Sequence, residues 1–231
     1  MTLRHLALRA LALGCAALGG GCSGLLHSSL QPEQTYYLRA APAAGPAAAL
    51  GASLRVGHPL PAPGLESTHI MLVQPDHRMN FYSGSRWPAP VADVLEALAV
   101  ETLRGSGAWS SVEDSTSPFP SDFLLQIAVR RFEADYTAGG AVPEVHVMFD
   151  CIIGRREGRD VVASFSAAGS ALATANRLGE VVAAFEQATG TALAALSQQA
   201  QEAARGAAQH PAAGAAQNED SPVPSSSRAS Q

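Results

Sequence analysis

Cysteine is scarce. The 231 residues hold three, and their positions leave no pair for a disulfide inside a folded domain. Cys15 lies within an apolar N-terminal run and Cys22 directly behind it. Only Cys151 falls in the part of the chain that can fold, so stability must come from a hydrophobic core. One core cysteine also excludes a thiolate zinc cluster. Histidine does not make up the deficit: His58, His69, His77 and His146 offer no pair at metal-ligand spacing, and only His77 has an acidic sequence neighbour, Asp76. We expect neither a metal nor a bound cofactor.

Catalytic signatures are missing as well. There is no Gly-x-Ser-x-Gly elbow, and Cys151 alternates inward along a strand, the pattern of a small buried hydrophobe and not of an activated nucleophile. The glycines at Gly105-x-Gly107 and Gly139-Gly140 read as a helix stop and a hairpin. A phosphate cradle would need them between a strand and a helix. The expectation is a protein that is not an enzyme, with no catalytic residue to name. A periplasmic hydrolase using a Ser/His set gathered from distant positions has no motif behind it.

What is present begins at the N-terminus. Residues 1–21 have a basic start with Arg4 and Arg9, an Ala/Leu-rich apolar run and the small stretch Gly19-Gly20-Gly21 before Cys22. This is the layout of a secretory signal, too short for a comfortable membrane span. A cysteine directly after such a stretch is where bacterial lipoproteins are acylated and cleaved, although Leu18 stands four residues before Cys22 instead of the usual three. Cys15 is a rival acylation site, but the apolar run before it is too short; an ordinary cleaved signal or an uncleaved anchor helix are the other readings. Removing residues 1–21 takes away two arginines and no acid, so the formal charge falls from −5 to −7 (−5 − 2 = −7). Nucleic acid and anionic lipid surfaces are then poor non-specific partners.

The mature chain divides by composition. Residues 22–34 are short, polar and small and read as a flexible membrane tether, and residues 35–205 suffice for one domain. Residues 206–231, rich in Ala, Gly, Ser, Pro and Gln, lack the apolar side chains to offset their ordering entropy and read as a disordered tail.

Two amphipathic helices stand out within the domain. The first opens at Pro88 or Pro90, carries Val91, Val94, Leu95, Leu98, Thr102 and Leu103 on one stripe, and stops at Gly105 and Gly107. The second starts near Asn176 as a cap, carries Leu178, Val181, Val182, Phe185, Thr189, Ala192, Leu193 and Leu196, and ends somewhere in 198–205. Three segments of alternating apolar residues lie between them: Phe123 to Val129, Val145 to Ile153, and Val161 to Ala167 with Val161, Ala163, Phe165 and Ala167 inward. The turns Ala138-Gly139-Gly140 and Arg156-Glu157-Gly158-Arg159 supply glycine where positive φ is wanted. Weaker strands are expected near Tyr36–Leu38, Ser53–Gly57, His69–Val73 and Met79–Tyr82. The fold expected is α/β: a single sheet, largely antiparallel or mixed, with both helices packed on one face. The other face, with Gln126, Arg130, His146, Asp150 and Ser164, is polar enough to meet water or a partner.

Ser85-Arg86-Trp87-Pro88 is the most distinctive local string. Trp87 has two readings that can both hold: a hydrophobic staple for the start of the first helix, or, with Arg86, part of a partner surface, since Trp and Arg are enriched at binding hot spots.

The order of features now carries a resemblance. A lipoprotein signal, Tyr36-Tyr37-Leu38, Ser85-Arg86-Trp87-Pro88-Ala89-Pro90-Val91, Arg131-Phe132-Glu133-Ala134-Asp135-Tyr136 and Val182-Ala183-Ala184-Phe185-Glu186-Gln187-Ala188 together resemble the ABC-type transport auxiliary lipoprotein family over roughly residues 36–200. Where that family has Arg-Trp-Ala-Glu-Pro-Leu, this chain has Pro88 and Ala89 in place of the alanine and glutamate. The resemblance implies a non-catalytic accessory lipoprotein beside an ABC permease, its ATPase and a mammalian-cell-entry-type substrate-binding protein, in systems of intermembrane lipid transport. A homo-oligomer is compatible with it. Ser23, and not the aspartate that typically retains lipoproteins at the inner membrane, follows Cys22, which points to the periplasmic face of the outer membrane. An outer-membrane assembly or envelope-integrity lipoprotein without a transporter would share every feature read from composition and periodicity.

Overall fold

In the computed structural model the structure describes residues 32–40, 48–156 and 159–209. The signal, Cys22, nearly all of the tether and residues 210–231 lie outside them. A nine-stranded mixed sheet carries two helices. Strands β1 (Gln34–Thr35), β2 (Ser53–Val56), β3 (Leu60–Pro61), β4 (His69–Val73) and β5 (Met79–Arg86) precede helix α1 (Val91–Gly105). Strands β6 (Ser111–Glu113), β7 (Phe123–Asp135), β8 (Glu144–Arg155) and β9 (Val161–Leu172) follow, and helix α2 (Leu178–Gln209) closes the fold.

The sheet is organised by β7. On one side β8 and then β9 pair with it in antiparallel hairpins. On the other, three short strands line up end to end in parallel: β2 at Phe123–Leu125, β3 at Ala128–Val129 and β4 at Ala134–Asp135. β5 and β1 extend the sheet beyond β4, and β6 beyond β2. β3 and β6, of two and three residues, are too short to carry an alternation that could be read in advance. β1 pairs at Gln34 and Thr35, just ahead of the expected Tyr36–Leu38.

Two bulges decide which side chains face the core. β7 continues six residues beyond Val129 because the pairing shifts between Val129 and Arg131, leaving Arg130 as the extra residue. One inserted residue inverts the phase of a strand. Phe132 and Ala134 therefore join the core, and Arg131, Glu133 and Asp135 take the opposite face. A second shift, between Ile153 and Gly154, pairs Gly154 with Val161. It turns Val161 outward to 65 % exposure, against the inward position expected for it. Among the described residues of the turn between these strands, Arg159 has a positive φ, 54°.

Both helices cover the same face: α2 packs on β9, β8 and β7, α1 on β2, β3 and β6, and the helices touch each other. The first turn of α1 has no side-chain cap; instead the Val91 N–H donates to the Ser67 carbonyl at 3.3 Å. Asn176 does not cap α2 either, since its Oδ1 accepts from the Tyr136 hydroxyl at 2.8 Å. α2 outruns the expected end within 198–205. Ala200, Gln201 and Ala204 remain buried, and the Arg155 guanidinium donates to the Ala207 carbonyl at 2.8 Å, which satisfies one of the acceptors a helix end leaves open.

β9 is the edge strand, twelve residues without a charge or a proline. Of its outward backbone groups, the Ser166 carbonyl accepts from Gln199 of α2 at 3.1 Å. Its inner side, Ala167, Gly169 and Ala171, is small, and α2 comes very close. A Cβ on Gly169 would stand 2.2 Å from the Ala188 carbonyl oxygen and 2.9 Å from the Ala192 nitrogen. Backbone cannot yield there as a side-chain tip can, so Gly169→Ala should cost about 2–3 kcal/mol by overpacking. Gly179→Ala, with nothing within 4 Å of the added carbon, should be neutral or gain a few tenths of a kcal/mol from helix propensity. Urea unfolding of the two variants checks the contrast; equal stability would show that α2 can lift off β9 without penalty.

Candidate functional site

Arg86 and Trp87 point to opposite faces of the sheet. Trp87 is fully buried, 0 % exposed, with its ring 5.3 Å from Phe185 of α2 and 5.8 Å from Phe132 of β7; those two rings lie 5.0 Å apart. Its backbone N–H donates to the Thr68 carbonyl at 2.7 Å. The staple reading of Trp87 therefore stands, and its use as a surface contact does not: no partner can touch a ring enclosed on all sides. Arg86 is exposed.

The outer face of β5, which carries Arg86 at its end, exposes large apolar side chains. His69 is the cross-strand neighbour of Arg86, so both side chains share a face, and the His69 ring stacks on Phe81 at 4.3 Å with 15° between planes. Thr35 flanks Arg86 from β1, whose next residue, Tyr36, donates its N–H to the Arg86 carbonyl at 2.8 Å. Phe81 is 45 % exposed and Met79 47 %, and Tyr37, two residues beyond β1, reaches 68 %. An arginine among exposed aromatics is the composition of a protein-binding hot spot. Phe81, Met79 and Tyr37 were missed in the sequence because an exposed apolar residue in a weakly patterned strand is indistinguishable from a core one.

The other distinctive strings serve the architecture. In Arg131-Phe132-Glu133-Ala134-Asp135-Tyr136, Arg131 donates to Glu133 at 2.6 Å and to Asp135 at 2.8 Å on the outer face. Phe132 and Ala134 fill the core, and the Tyr136 hydroxyl bridges Tyr82 and Asn176. Burial and the Tyr136 contact raise the Tyr82 phenol. In Val182 to Ala188, Phe185 packs on Trp87 while Glu186 pairs with Arg39 at 3.2 Å. The polar face expected from Gln126, Arg130, His146, Asp150 and Ser164 is present, with Arg130 donating to Asp150 at 2.6 Å and Ser166 to the other Asp150 oxygen at 2.7 Å.

Cys151 is buried, and burial followed by the Asp150 charge pushes its thiol up to about 12, so the thiolate is not populated near neutrality. His58, not His77, holds the closest carboxylate contact among the described histidines: its Nδ1 lies 2.8 Å from Glu96 and 3.8 Å from Asp93. Glu96, itself buried, also accepts the Ser115 N–H at 2.8 Å. It thereby ties the loop after β2 and the loop after β6 to α1.

The comparisons with known proteins agree with this architecture. Residues 36–205 match the family described as ABC-type transport auxiliary lipoprotein component. A crystal structure of a protein from Xanthomonas campestris is similar with a TM-score of 0.71 at 26 % identity, over 76 % of this chain and 99 % of that one. Another solved structure is similar with a TM-score of 0.57 at 14 % identity, over 73 % of this chain and 99 % of its own. No curated protein matches.

Trp87→Ala should cost about 3–5 kcal/mol by emptying the aromatic junction, whereas Arg86→Ala should stay within about 0.5 kcal/mol; chemical denaturation separates them. For Glu96, burial pushes the carboxyl up, but hydrogen bonds from Ser115 and His58 outweigh it and leave it below the usual carboxylate range. A folded pKa below the unfolded one adds stability that is complete above the unfolded value of about 4.3 and is lost as the pH falls through the folded one. Glu96→Gln should therefore cost about 1–2 kcal/mol at pH 7, with the deficit shrinking towards pH 3. A deficit constant with pH would assign it to packing alone.

Proposed function

Since the chain belongs to the ABC-type transport auxiliary lipoprotein family, we propose that it is a non-catalytic accessory lipoprotein of a mammalian-cell-entry-type lipid transport system, held at the periplasmic face of the outer membrane by acylated Cys22. It acts by protein–protein contact. The observation that carries this reading is the outer face of β5, where Phe81 and Met79 stay exposed on the strand that ends in Arg86, with exposed Tyr37 just beyond the adjoining β1, while the buried Trp87 locks the end of the strand. A rigid strand presenting aromatic and arginine side chains is suited to hold a partner, because little side-chain entropy is lost on contact. The partner expected there is the mammalian-cell-entry-type protein, or the permease and ATPase assembly behind it.

The buried Cys151 thiol and the engagement of Glu96, Asp122, Glu133 and Asp135 in structural hydrogen bonds suit a role without chemistry. A diacylated cysteine supplies two chains, enough for stable attachment.

The test is a pull-down from membranes, with mass spectrometry of the partners and of the mature N-terminal peptide. Acylated Cys22 and recovery of a permease, an ATPase and a mammalian-cell-entry protein are the expected results. Phe81→Ser with Arg86→Glu should lower that recovery at least tenfold, about 1.4 kcal/mol of binding or more, without lowering the amount of lipoprotein. Acylation without these partners would leave an envelope lipoprotein and remove the transporter. Unchanged recovery by the double variant would move the contact to another face.

A further inference from the structure

At the end of the sheet where β7 begins and β8 ends, apolar and guanidinium groups gather on the outer face. Leu124 lies level with Arg55 on one side and Gly154 on the other, and beside them open Ile152, 41 % exposed, and Val161, 65 %. Leu124, Ile152 and Val161, with Arg156, Arg159 and Asp160, line a groove of about 430 Å³. The Arg55 guanidinium donates to the Phe119 carbonyl and so fixes the preceding loop at this corner, where the Phe119 side chain is 68 % exposed. All fifteen basic side chains of the sequence are arginine, and three of them fall at 155, 156 and 159. Arg155 is engaged with the Ala207 carbonyl. Arg156 and Arg159 are exposed and form no ion pair among the described residues.

We propose that this corner is a bilayer-contact site, taking the phosphates of anionic phospholipids on Arg156 and Arg159 while Phe119 and Val161 enter the membrane interface. Guanidinium forks match phosphate oxygens two at a time, and exposed Phe and Val beside them gain by leaving water at the headgroup boundary. A bilayer suits the corner better than a single captured lipid. The outer face turns polar within one pair of rows, at Gln126 and the Arg130–Asp150–Ser166 cluster, so no apolar trough continues along which acyl chains could lie. Glu157 and Asp160 offset two of the three arginine charges, and the mature chain is acidic overall. Attraction therefore rests on paired phosphate contacts and local apolar burial, and the negative remainder of the molecule is repelled, which orients this corner towards the lipid. The placement rests on the reading that Cys22 is the anchor, since the lead from Cys22 to Glu33 spans at most about 40 Å fully extended.

The experiment uses the unacylated chain from Ser23 onward, which keeps every described residue, in flotation with vesicles of phosphatidylethanolamine and phosphatidylglycerol and with vesicles of phosphatidylcholine alone. Partition into the anionic vesicles should exceed that into phosphatidylcholine. It should fall at least tenfold for Arg156→Glu with Arg159→Glu and comparably for Phe119→Ser with Val161→Ser, with circular dichroism and Tm unchanged because all four side chains are exposed. No partition into anionic vesicles, or equal partition by the charge-reversed variant, overturns the proposal. Acylation of Cys22 is read separately on the native lipoprotein, so failure of the contact site leaves the anchor standing, and an unmodified Cys22 removes the anchor whatever the vesicles report.

Discussion

Everything in this fold hangs on the contact of three aromatic rings, Trp87, Phe132 and Phe185. They come from the end of β5, the far half of β7 and the first turns of α2, so one junction joins the short-strand side of the sheet, its central strand and the long helix. Tilted and edge-on aromatic pairs add about 0.5–1.5 kcal/mol each beyond their buried area. Three such pairs sharing three rings make a junction that no single substitution leaves intact. Because Trp87 is fixed from below, the residue before it is fixed from above, and Arg86 is presented to solvent by a backbone that cannot tilt.

Local periodicity told much of this in advance. Helix α1, the long strands β7, β8 and β9 and a single sheet, antiparallel or mixed, with helices on one face follow from apolar spacing, since a buried stripe and an alternating strand leave their period in the sequence. What escaped is what period cannot encode. A bulge at Arg130 inverts the phase halfway along β7, so Phe132 reads as off-pattern although it is central to the core. A second bulge puts Val161 on the wrong side of its own alternation. The C-terminal turns of α2 are Ala-rich without large apolar residues, and what holds them is tertiary: burial of Ala200, Gln201 and Ala204 and the bond from Arg155.

The candidate surface was legible only in half. Arg86 and Trp87 were conspicuous as a pair, and pairing them obscured that adjacent strand residues face opposite ways. The neighbours that complete the surface come from three strands, and their exposure depends on register, which alternation in short strands does not fix. The same holds for the Glu96 carboxylate, whose partners His58 and Ser115 lie 38 and 19 residues away in sequence.

The approach of α2 to Gly169 has a further consequence, in the order of events. The sheet is complete in sequence at Leu172, but its apolar face closes only when the last element made, α2, settles on β9 and β8. Until then the longest hairpins of the protein present a naked apolar side together with a charge-free edge, the combination most prone to pair with the wrong chain. The small side chains of β9 lessen that hazard: Ala167, Gly169 and Ala171 offer little for a stray partner to grip, yet they are flat enough for a helix backbone to seat closely. Smallness here works as a matter of timing, keeping the waiting surface weakly adhesive until the one element shaped to fit it arrives.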